Sequence, residues 1–255
     1  MTVRLEREGP LALVIVDRPR AKNAIDRAAM RRLDGIVEEL SADDALAAVI
    51  LTGAGDHFIS GGDLKDLAEL ERPEEGRGMS VFMQSVLARW EALRCPTIAA
   101  IGGDAYGGGC EVALACDLRV MSRGCRLVFK QVSMGLIPGW GGGQRLSRLI
   151  GPSRALMLLV TAAAVGAEQA LAIGLADEIA EGSALEAARA LGARIAQQPR
   201  GAVALTKRAL VRGAELPKSL AIDLEGELFA QTWGSEDHRG AVRSFLQRSR
   251  PRSDD

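Results

Sequence analysis

The sequence predicts an α/β fold that continues into a helical C-terminal region. Up to about residue 190, apolar runs of strand length alternate with segments whose apolar residues recur at helical spacing. Two glycine-rich turns stand directly before predicted helices. After Gly151 nearly every segment has the helical pattern. We therefore expect two zones, an α/β core over residues 1–190 and a helical region over residues 191–255.

The predicted strands are short and apolar, which is typical of strands buried on both faces of a sheet. The first is Leu11–Val16, and Asp26 then caps a helix that runs to about Leu40. Further strands are predicted over residues 48–51, 97–101, 118–121 and 126–129. Further helices are predicted after Asp63 and over residues 81–94, 111–116, 144–150, 153–160, 167–172, 185–197, 202–211, 220–233 and 235–247. Residues 69–81 have no diagnostic pattern.

Composition excludes several classes of protein. The chain has 32 Lys and Arg against 33 Asp and Glu, and aromatic residues make up only 4% of its 255 residues. Nucleic acids and anionic membranes are bound through basic surfaces, and single-stranded nucleic acids also through stacked aromatic rings. We therefore expect neither nucleic acid nor membrane as a partner.

No metal site is expected from the cysteines and histidines. The four cysteines form no Cys-x-x-Cys pair and lie in apolar contexts, which favours reduced thiols in the core of a cytoplasmic protein. His57 and His238 are the only histidines, and each stands alone in the sequence. A structural role is a better interpretation of either one than a metal ligand.

The most informative segment is residues 102–111, Gly-Gly-Asp-Ala-Tyr-Gly-Gly-Gly-Cys-Glu. Glycines let a ligand approach the main chain, and the N-terminus of the helix that follows favours negative charge. Gly108 and Glu111 are three residues apart and share a helix face. The segment can therefore hold an anion beside a carboxylate that moves a proton. The alternative is a tight turn followed by a solvated acid in the first helical turn.

Four motifs together resemble the crotonase family, also called the enoyl-CoA hydratase/isomerase superfamily, and the resemblance spans nearly the whole chain. The motifs are Arg-Pro-Arg-Ala-Lys-Asn-Ala at 18–24, Phe-Ile-Ser-Gly-Gly-Asp-Leu-Lys at 58–65, Gly-Gly-Gly-Cys-Glu-Val-Ala-Leu-Ala-Cys-Asp at 107–117 and Gly-Leu-Ile-Pro-Gly-Trp-Gly-Gly-Gly-Gln-Arg-Leu at 135–146. The resemblance implies a core of β-β-α spiral turns, a helical C-terminal region that forms trimers or hexamers, and an acyl-CoA thioester as substrate. It implies no cofactor beyond coenzyme A itself.

The resemblance also assigns roles within the site. It implies that the amides of Gly62 and Gly108 form an oxyanion hole for the thioester enolate, although Gly62 could be only a turn glycine. Glu111 matches the first of two catalytic glutamates of enoyl-CoA hydratases. Gln131 stands where the second is common, and an amide cannot donate a catalytic proton near neutral pH. We therefore expect Gln131 to shape the pocket or hold a water.

Coenzyme A and the acyl group have their own candidate residues. The resemblance places the coenzyme A portion of the substrate against Lys22, Ala24, Ser60, Asp63 and Leu64. It also places this portion beneath Phe245 and Arg248 of the last helix. Trp140 looks like a feature of malonyl-type acyl-CoA decarboxylases, although simple packing is the commoner role of a large aromatic residue. There are simpler alternatives to these roles. Lys22 could be only a surface charge, and the last helix could pack only on the core of its own chain.

Three functions therefore stay open. The first is a lyase of the enoyl-CoA hydratase type, and the second is a decarboxylase or double-bond isomerase that uses the same oxyanion hole. The third is a protein without activity that binds acyl-CoA or serves as a scaffold. A carboxylate kept beside the glycine amides favours an enzyme.

Overall fold

The computed structural model describes residues 2–248, with the exception of the side chain at 248. The chain divides into two compact units, one that ends at Ala196 and one that begins at Gln197. The boundary predicted at residue 190 falls inside a helix, Ala184–Ala196, that belongs to the first unit. Within residues 2–248, no helix is both long and apolar enough to cross a membrane.

The main sheet of the first unit has six strands in the order β1-β2-β3-β4-β6-β9. Its strands are β1 (Val3–Glu8), β2 (Leu11–Val16), β3 (Ala48–Gly53), β4 (Thr97–Ile101), β6 (Leu118–Ser122) and β9 (Glu178–Ala180). β1 pairs antiparallel with β2, and the other neighbours are parallel. A smaller sheet joins β5 (Ala105–Tyr106), β7 (Arg126–Val128) and β8 (Ala164–Gly166).

Helices connect the strands and cover the main sheet. They are α1 (Arg27–Ser41), α2 (Leu64–Leu67), α3 (Pro73–Glu91), α4 (Gly108–Leu114), α5 (Gly142–Ile150), α6 (Pro152–Thr161), α7 (Ala167–Ala172) and α8 (Ala184–Ala196). Two short 3-10 helices lie at Pro19–Ala21 and Val132–Met134. Asp26 caps α1, since its side chain accepts a hydrogen bond from the amide of Ala29.

The core lies on both faces of the main sheet, because alternate residues of a strand point to opposite sides. Along β2, Leu11, Leu13 and Ile15 belong to the smaller cluster, which α8 completes. Ala12, Val14 and Val16 point into the larger cluster, which extends through α1, α3 and α4. All six residues of this strand are buried. The continuous apolar run that predicted a buried strand is explained by this arrangement.

The second unit is helical over its described part. It contains α9 (Arg200–Gly213), α10 (Lys218–Thr232) and α11 (Glu236–Arg248). Near the end of α10, the ring of Trp233 packs against Phe229 and His238, with centroid separations of 5.5 Å and 4.8 Å.

Most predicted elements are confirmed to within a few residues, and the errors have physical causes. β1 was missed because its exposed face is charged, and β5, β8 and β9 because strands of two or three residues are defined by their partners. The sequence predicts a helix over residues 81–94, whereas α3 runs over Pro73–Glu91. Its first turns are polar and contain Gly76 and Gly78, so they lack an apolar periodicity.

Candidate active site

The site is built around the start of α4. Gly107 has φ 50°, a left-handed conformation that favours glycine, and its amide donates to the carbonyl of Val128 in β7 at 2.9 Å. This turn reverses the chain after β5 and starts α4 at Gly108. Glu111 therefore lies in the first turn of the helix, with its side chain directed into the first unit.

The carboxylate of Glu111 is buried and accepts four hydrogen bonds. Oε2 accepts from the amides of Trp140 at 2.8 Å and Gly142 at 2.7 Å. Oε1 accepts from the side-chain Nε2 of Gln131 at 3.0 Å and from the amide of Gly139 at 3.3 Å. The residue is 2% exposed, so the alternative of a solvated acid in the first turn is wrong.

Burial and hydrogen bonding act on Glu111 in opposite directions. Removal of the carboxyl group from water raises its pKa above the ordinary value, and this is the larger effect. The donors at Gly142, Gln131, Trp140 and Gly139 stabilise the charged form and limit the rise. A carboxyl group with a raised pKa is suited to take up a proton and return it.

The loop before α5 supplies the main-chain donors and is held in place by α3 and Arg145. Ser80 and Gln84 of α3 both donate to the carbonyl of Gly139. Arg145 donates to the carbonyl of Trp140 at 2.8 Å and pairs with Glu91, Nε to Oε1, at 2.8 Å. The sequence predicts this glycine-rich turn but does not indicate that its amides donate hydrogen bonds to Glu111.

Gln131 uses the nitrogen of its side-chain amide in a hydrogen bond but not the oxygen. Its Nε2 donates to Glu111, and its Oε1 is buried with no hydrogen-bond partner among the residues that the structure describes. A buried carbonyl oxygen without a donor costs free energy. This atom is therefore suited to accept a hydrogen bond from a water or substrate hydroxyl.

The amides of Gly62 and Gly108 are available to a ligand. Both residues are partly exposed, and within residues 2–248 neither N–H donates to a protein acceptor. The loops that carry them are in contact, since a Cβ added at Gly61 would lie 3.1 Å from the nitrogen of Gly108. An oxyanion hole consists of two such donors, and the contact between the loops brings these two near each other.

Trp140 packs against both of these glycines. Its indole ring would lie 2.5 Å from a Cβ added at Gly108 and 3.7 Å from one added at Gly62. The side chain is 4% exposed, and its Nε1 lies 3.2 Å from the sulfur of Met79. A side chain at Gly108 is therefore excluded unless Trp140 moves. Packing explains the burial of Trp140, and its position also places it next to the candidate oxyanion hole.

The two segments predicted to bind coenzyme A lie side by side. The amide of Ser60 donates to the carbonyl of Lys22 at 3.1 Å, and Ile25 forms a parallel bridge with Gly62. Lys22 is exposed and has φ 51°, whereas Ala24 is buried. Pairing of the backbones therefore brings together two motifs that are far apart in the sequence.

The other residues predicted to contact coenzyme A are Asp63, Leu64, Phe245 and Arg248. The carboxylate of Asp63 is engaged by Arg18 at 2.8 Å and by the amide of Lys65 at 3.1 Å, while Leu64 is 59% exposed. Phe245 lies in α11 of the second unit and is 69% exposed. The side chain of Arg248 lies outside the described residues. Among the described residues, no cluster of His, Cys, Asp and Glu is arranged to hold a metal ion.

Comparison with known proteins agrees with this geometry. The family profile of enoyl-CoA hydratase/isomerase matches residues 6–255. A short-chain-enoyl-CoA hydratase of Clostridium acetobutylicum is 38% identical over 248 residues, covering 96% of this chain and 95% of the relative. An ethylmalonyl-CoA decarboxylase of Gallus gallus is 36% identical, covering 88% of this chain and 76% of that protein. The crystal structure of enoyl-CoA hydratase from Bacillus anthracis superposes with a TM-score of 0.92 at 29% identity, covering 97% of both chains.

The fold is thus the crotonase fold. The chain belongs to the enoyl-CoA hydratase/isomerase family, and it is an enzyme of that family. The resemblance inferred from four motifs is confirmed.

Proposed function

We propose that this enzyme adds water across the double bond of a short-chain enoyl-CoA thioester. The observation that carries the proposal is the buried Glu111 carboxylate beside the unbonded amides of Gly62 and Gly108. Addition of water to the β-carbon sends electrons onto the thioester oxygen, and two preorganised N–H donors stabilise the resulting enolate. The identity with a short-chain-enoyl-CoA hydratase supports this substrate class.

The proposed reaction needs only one carboxylate. Glu111 takes a proton from a water molecule as the water oxygen bonds to the β-carbon. The protonated Glu111 then returns that proton to the α-carbon, which collapses the enolate and restores the carboxylate. Gln131 holds the water through Oε1, the buried oxygen that has no partner among the described residues. Proton and electrons balance without a second acid.

Decarboxylation is the second candidate because Gln131 replaces a carboxylate with a neutral amide. An acyl-CoA with a carboxylate on its α-carbon would meet less repulsion here than beside two glutamates. Loss of carbon dioxide would leave the same enolate in the same oxyanion hole. The identity with an ethylmalonyl-CoA decarboxylase supports this alternative.

One experiment separates the two candidates. The purified protein is incubated with crotonyl-CoA, ethylmalonyl-CoA and a 3-enoyl-CoA, and the products are identified by mass. Gain of one water from crotonyl-CoA supports hydration, and loss of carbon dioxide from ethylmalonyl-CoA supports the alternative. Turnover of neither, with a shift of the double bond in the 3-enoyl-CoA, would replace both candidates with an isomerase.

Binding and assembly complete the proposal. Coenzyme A would lie along the paired backbones at Lys22, Ala24, Ser60, Asp63 and Leu64. In the family the last helix often closes over the ligand from a neighbouring subunit, and we propose that Phe245 and Arg248 contact coenzyme A in that way. Lys22 is exposed and is suited to contact a phosphate. The helical second unit would assemble the protein as a homotrimer or homohexamer in the cytoplasm. No cofactor beyond the coenzyme A of the substrate is required.

A further inference from the structure

Arg18 makes an unusual set of contacts close to Gly62. The reaction proposed above assigns it no role. Its Nη2 donates to Oδ2 of Asp63 at 2.8 Å and forms an ion pair with Oδ2 of Asp26 at 3.0 Å. Its Nη1 donates to the carbonyl of Ala24. The Arg18 side chain is 19% exposed, and both carboxylates are similarly shielded. Charge-assisted hydrogen bonds in such a setting are stronger than those of exposed pairs.

The three acceptors of Arg18 surround the bridge that holds Gly62. The amide of Ile25, between Ala24 and Asp26, donates to the carbonyl of Gly61 at 2.8 Å. The amide of Asp63 donates to the carbonyl of Ile25 at 2.9 Å. The carbonyl of Gly61 and the N–H of Gly62 belong to one planar trans peptide group and point in opposite directions, so the N–H of Gly62 points away from Ile25. Its direction therefore depends on how these two segments are held together.

Arg18 is itself rigidly placed by Asn23. The amide of Arg18 donates to Oδ1 of Asn23 at 3.0 Å, and Nδ2 of Asn23 donates to the carbonyls of Ala54 and His57 at 2.8 Å and 2.7 Å. Asn23 is fully buried. The main chain of Arg18 is therefore held by Asn23, and its guanidinium group by Asp63, Asp26 and the carbonyl of Ala24.

We propose that Arg18 is a positioning residue of the oxyanion hole, which aims the N–H of Gly62 by joining the segments on either side of the Ile25–Gly62 bridge. This rests on the proposed function, in which Gly62 supplies one of the two N–H donors. A planar guanidinium bonds two carboxylates and a carbonyl at once, and an ammonium group lacks this fork geometry. Small errors in the direction of an oxyanion donor reduce stabilisation of the transition state more than binding of the substrate.

The test compares Arg18→Met, Arg18→Lys and Asp63→Asn with the wild-type enzyme. Arg189→Met is the matched control, since Arg189 pairs with Glu8 elsewhere in the first unit. Hydration of crotonyl-CoA gives kcat and KM. The stretching frequency of the thioester carbonyl, measured by infrared spectroscopy with isotope-labelled crotonyl-CoA, gives the strength of the oxyanion contacts. These spectra are taken in a Glu111→Gln background, where turnover does not consume the ligand.

We expect Arg18→Met to lower kcat by about tenfold or more, with KM changed by less than about threefold, and to reduce the carbonyl shift on binding. Arg18→Lys should restore part of both effects, and Arg189→Met should change neither. Asp63→Asn should weaken the shift, and Arg18→Met should then have a smaller effect in that background. If Arg18→Met does not fold, Arg18→Lys and Asp63→Asn carry the test.

Two results would overturn the proposal, and they are distinguishable. Folded Arg18 variants with wild-type kcat and an unchanged carbonyl shift, in an enzyme that hydrates crotonyl-CoA, would refute the role of Arg18 alone. A wild-type enzyme that does not turn over crotonyl-CoA, together with a Glu111→Gln protein that does not shift its carbonyl frequency, would refute the proposed function, and the role of Arg18 with it.

Discussion

The side-chain amide of Gln131 donates to Oε1 of Glu111 at 3.0 Å, and its own oxygen is buried without a partner among the described residues. The donor side of the amide therefore faces the carboxylate, and the acceptor side is left for a ligand that carries a proton. A second carboxylate in this place would face Glu111 with a like charge, so one of the pair would stay protonated. The chemistry of the site therefore depends on whether residue 131 is an amide or a carboxylic acid.

Glu111→Gln should lower turnover by orders of magnitude and leave coenzyme A binding unchanged. The new amide keeps the shape of the side chain, and its NH₂ group can donate to the oxygen of Gln131. The amide cannot take up and return a proton as a carboxyl group does. Turnover is measured with crotonyl-CoA and binding by calorimetry. The control is Glu168→Gln, an exposed glutamate in the first turn of α7. Activity near the wild-type level in a folded Glu111→Gln protein would remove Glu111 from the mechanism.

The reaction should be faster at higher pH on its acid side, because Glu111 must start as a carboxylate. Burial raises the pKa of Glu111, so the acid limb of kcat/KM should lie above the range of an ordinary glutamate. Between the ordinary pKa and the raised one, the folded protein holds a proton that the unfolded chain has lost. Stability therefore falls as pH rises through this window.

Paired measurements test this pH dependence. We expect urea unfolding of wild type to lose stability through that window relative to Glu111→Gln, which lacks the titrating group. Wild-type stability that rises relative to the variant over the same range would contradict the sign of the shift.

The N–H of Gly108 can be tested apart from the space around it. A Cβ at this position would lie 2.5 Å from the ring of Trp140, so Gly108→Ala alone would confuse a clash with a chemical effect. In a Trp140→Leu background, Gly108→Ala keeps the N–H and Gly108→Pro removes it, and proline is tolerated at the first position of a helix. We expect Gly108→Pro to be about a hundredfold slower than Gly108→Ala. Equal rates would place the oxyanion hole elsewhere.

Gln131→Glu should separate hydration from decarboxylation by the sign of its effect. For a hydratase, the second carboxyl group supplies an additional acid, and hydration of crotonyl-CoA should rise. For a decarboxylase, it repels the carboxylate of the substrate in a site of low dielectric, and the rate should fall. Both reactions are measured with the same preparation. No change in either would show that Gln131 does not face the reacting atoms.

The protein should be a trimer or a dimer of trimers. Large apolar side chains of the second unit are more than half exposed within a single chain, among them Leu210, Ile222, Phe229 and Trp233. Apolar surface exposed to this extent is usually covered in an assembly. Light scattering at micromolar concentration should give three or six times the mass of one chain. A monomer at that concentration would contradict the expectation.

Much of this protein was determined by its sequence alone. The buried strand Leu11–Val16 and the helix capped by Asp26 follow from short-range patterns, because burial and capping depend on residue type at fixed spacing. The four motifs identified the family. Glu111 stands out in the sequence because a carboxylate one helical turn after a run of glycine amides can move a proton beside a bound anion.

Only the tertiary structure decided what surrounds these residues. Glu111 is buried because the amides of Gly139, Trp140 and Gly142 approach it from a loop that is distant in sequence. The bridge between Ile25 and Gly62 and the contacts of Arg18 likewise join segments far apart in the chain. Local patterns record the propensity of each segment. They do not record which main-chain donor meets which side chain, because long-range packing sets those distances.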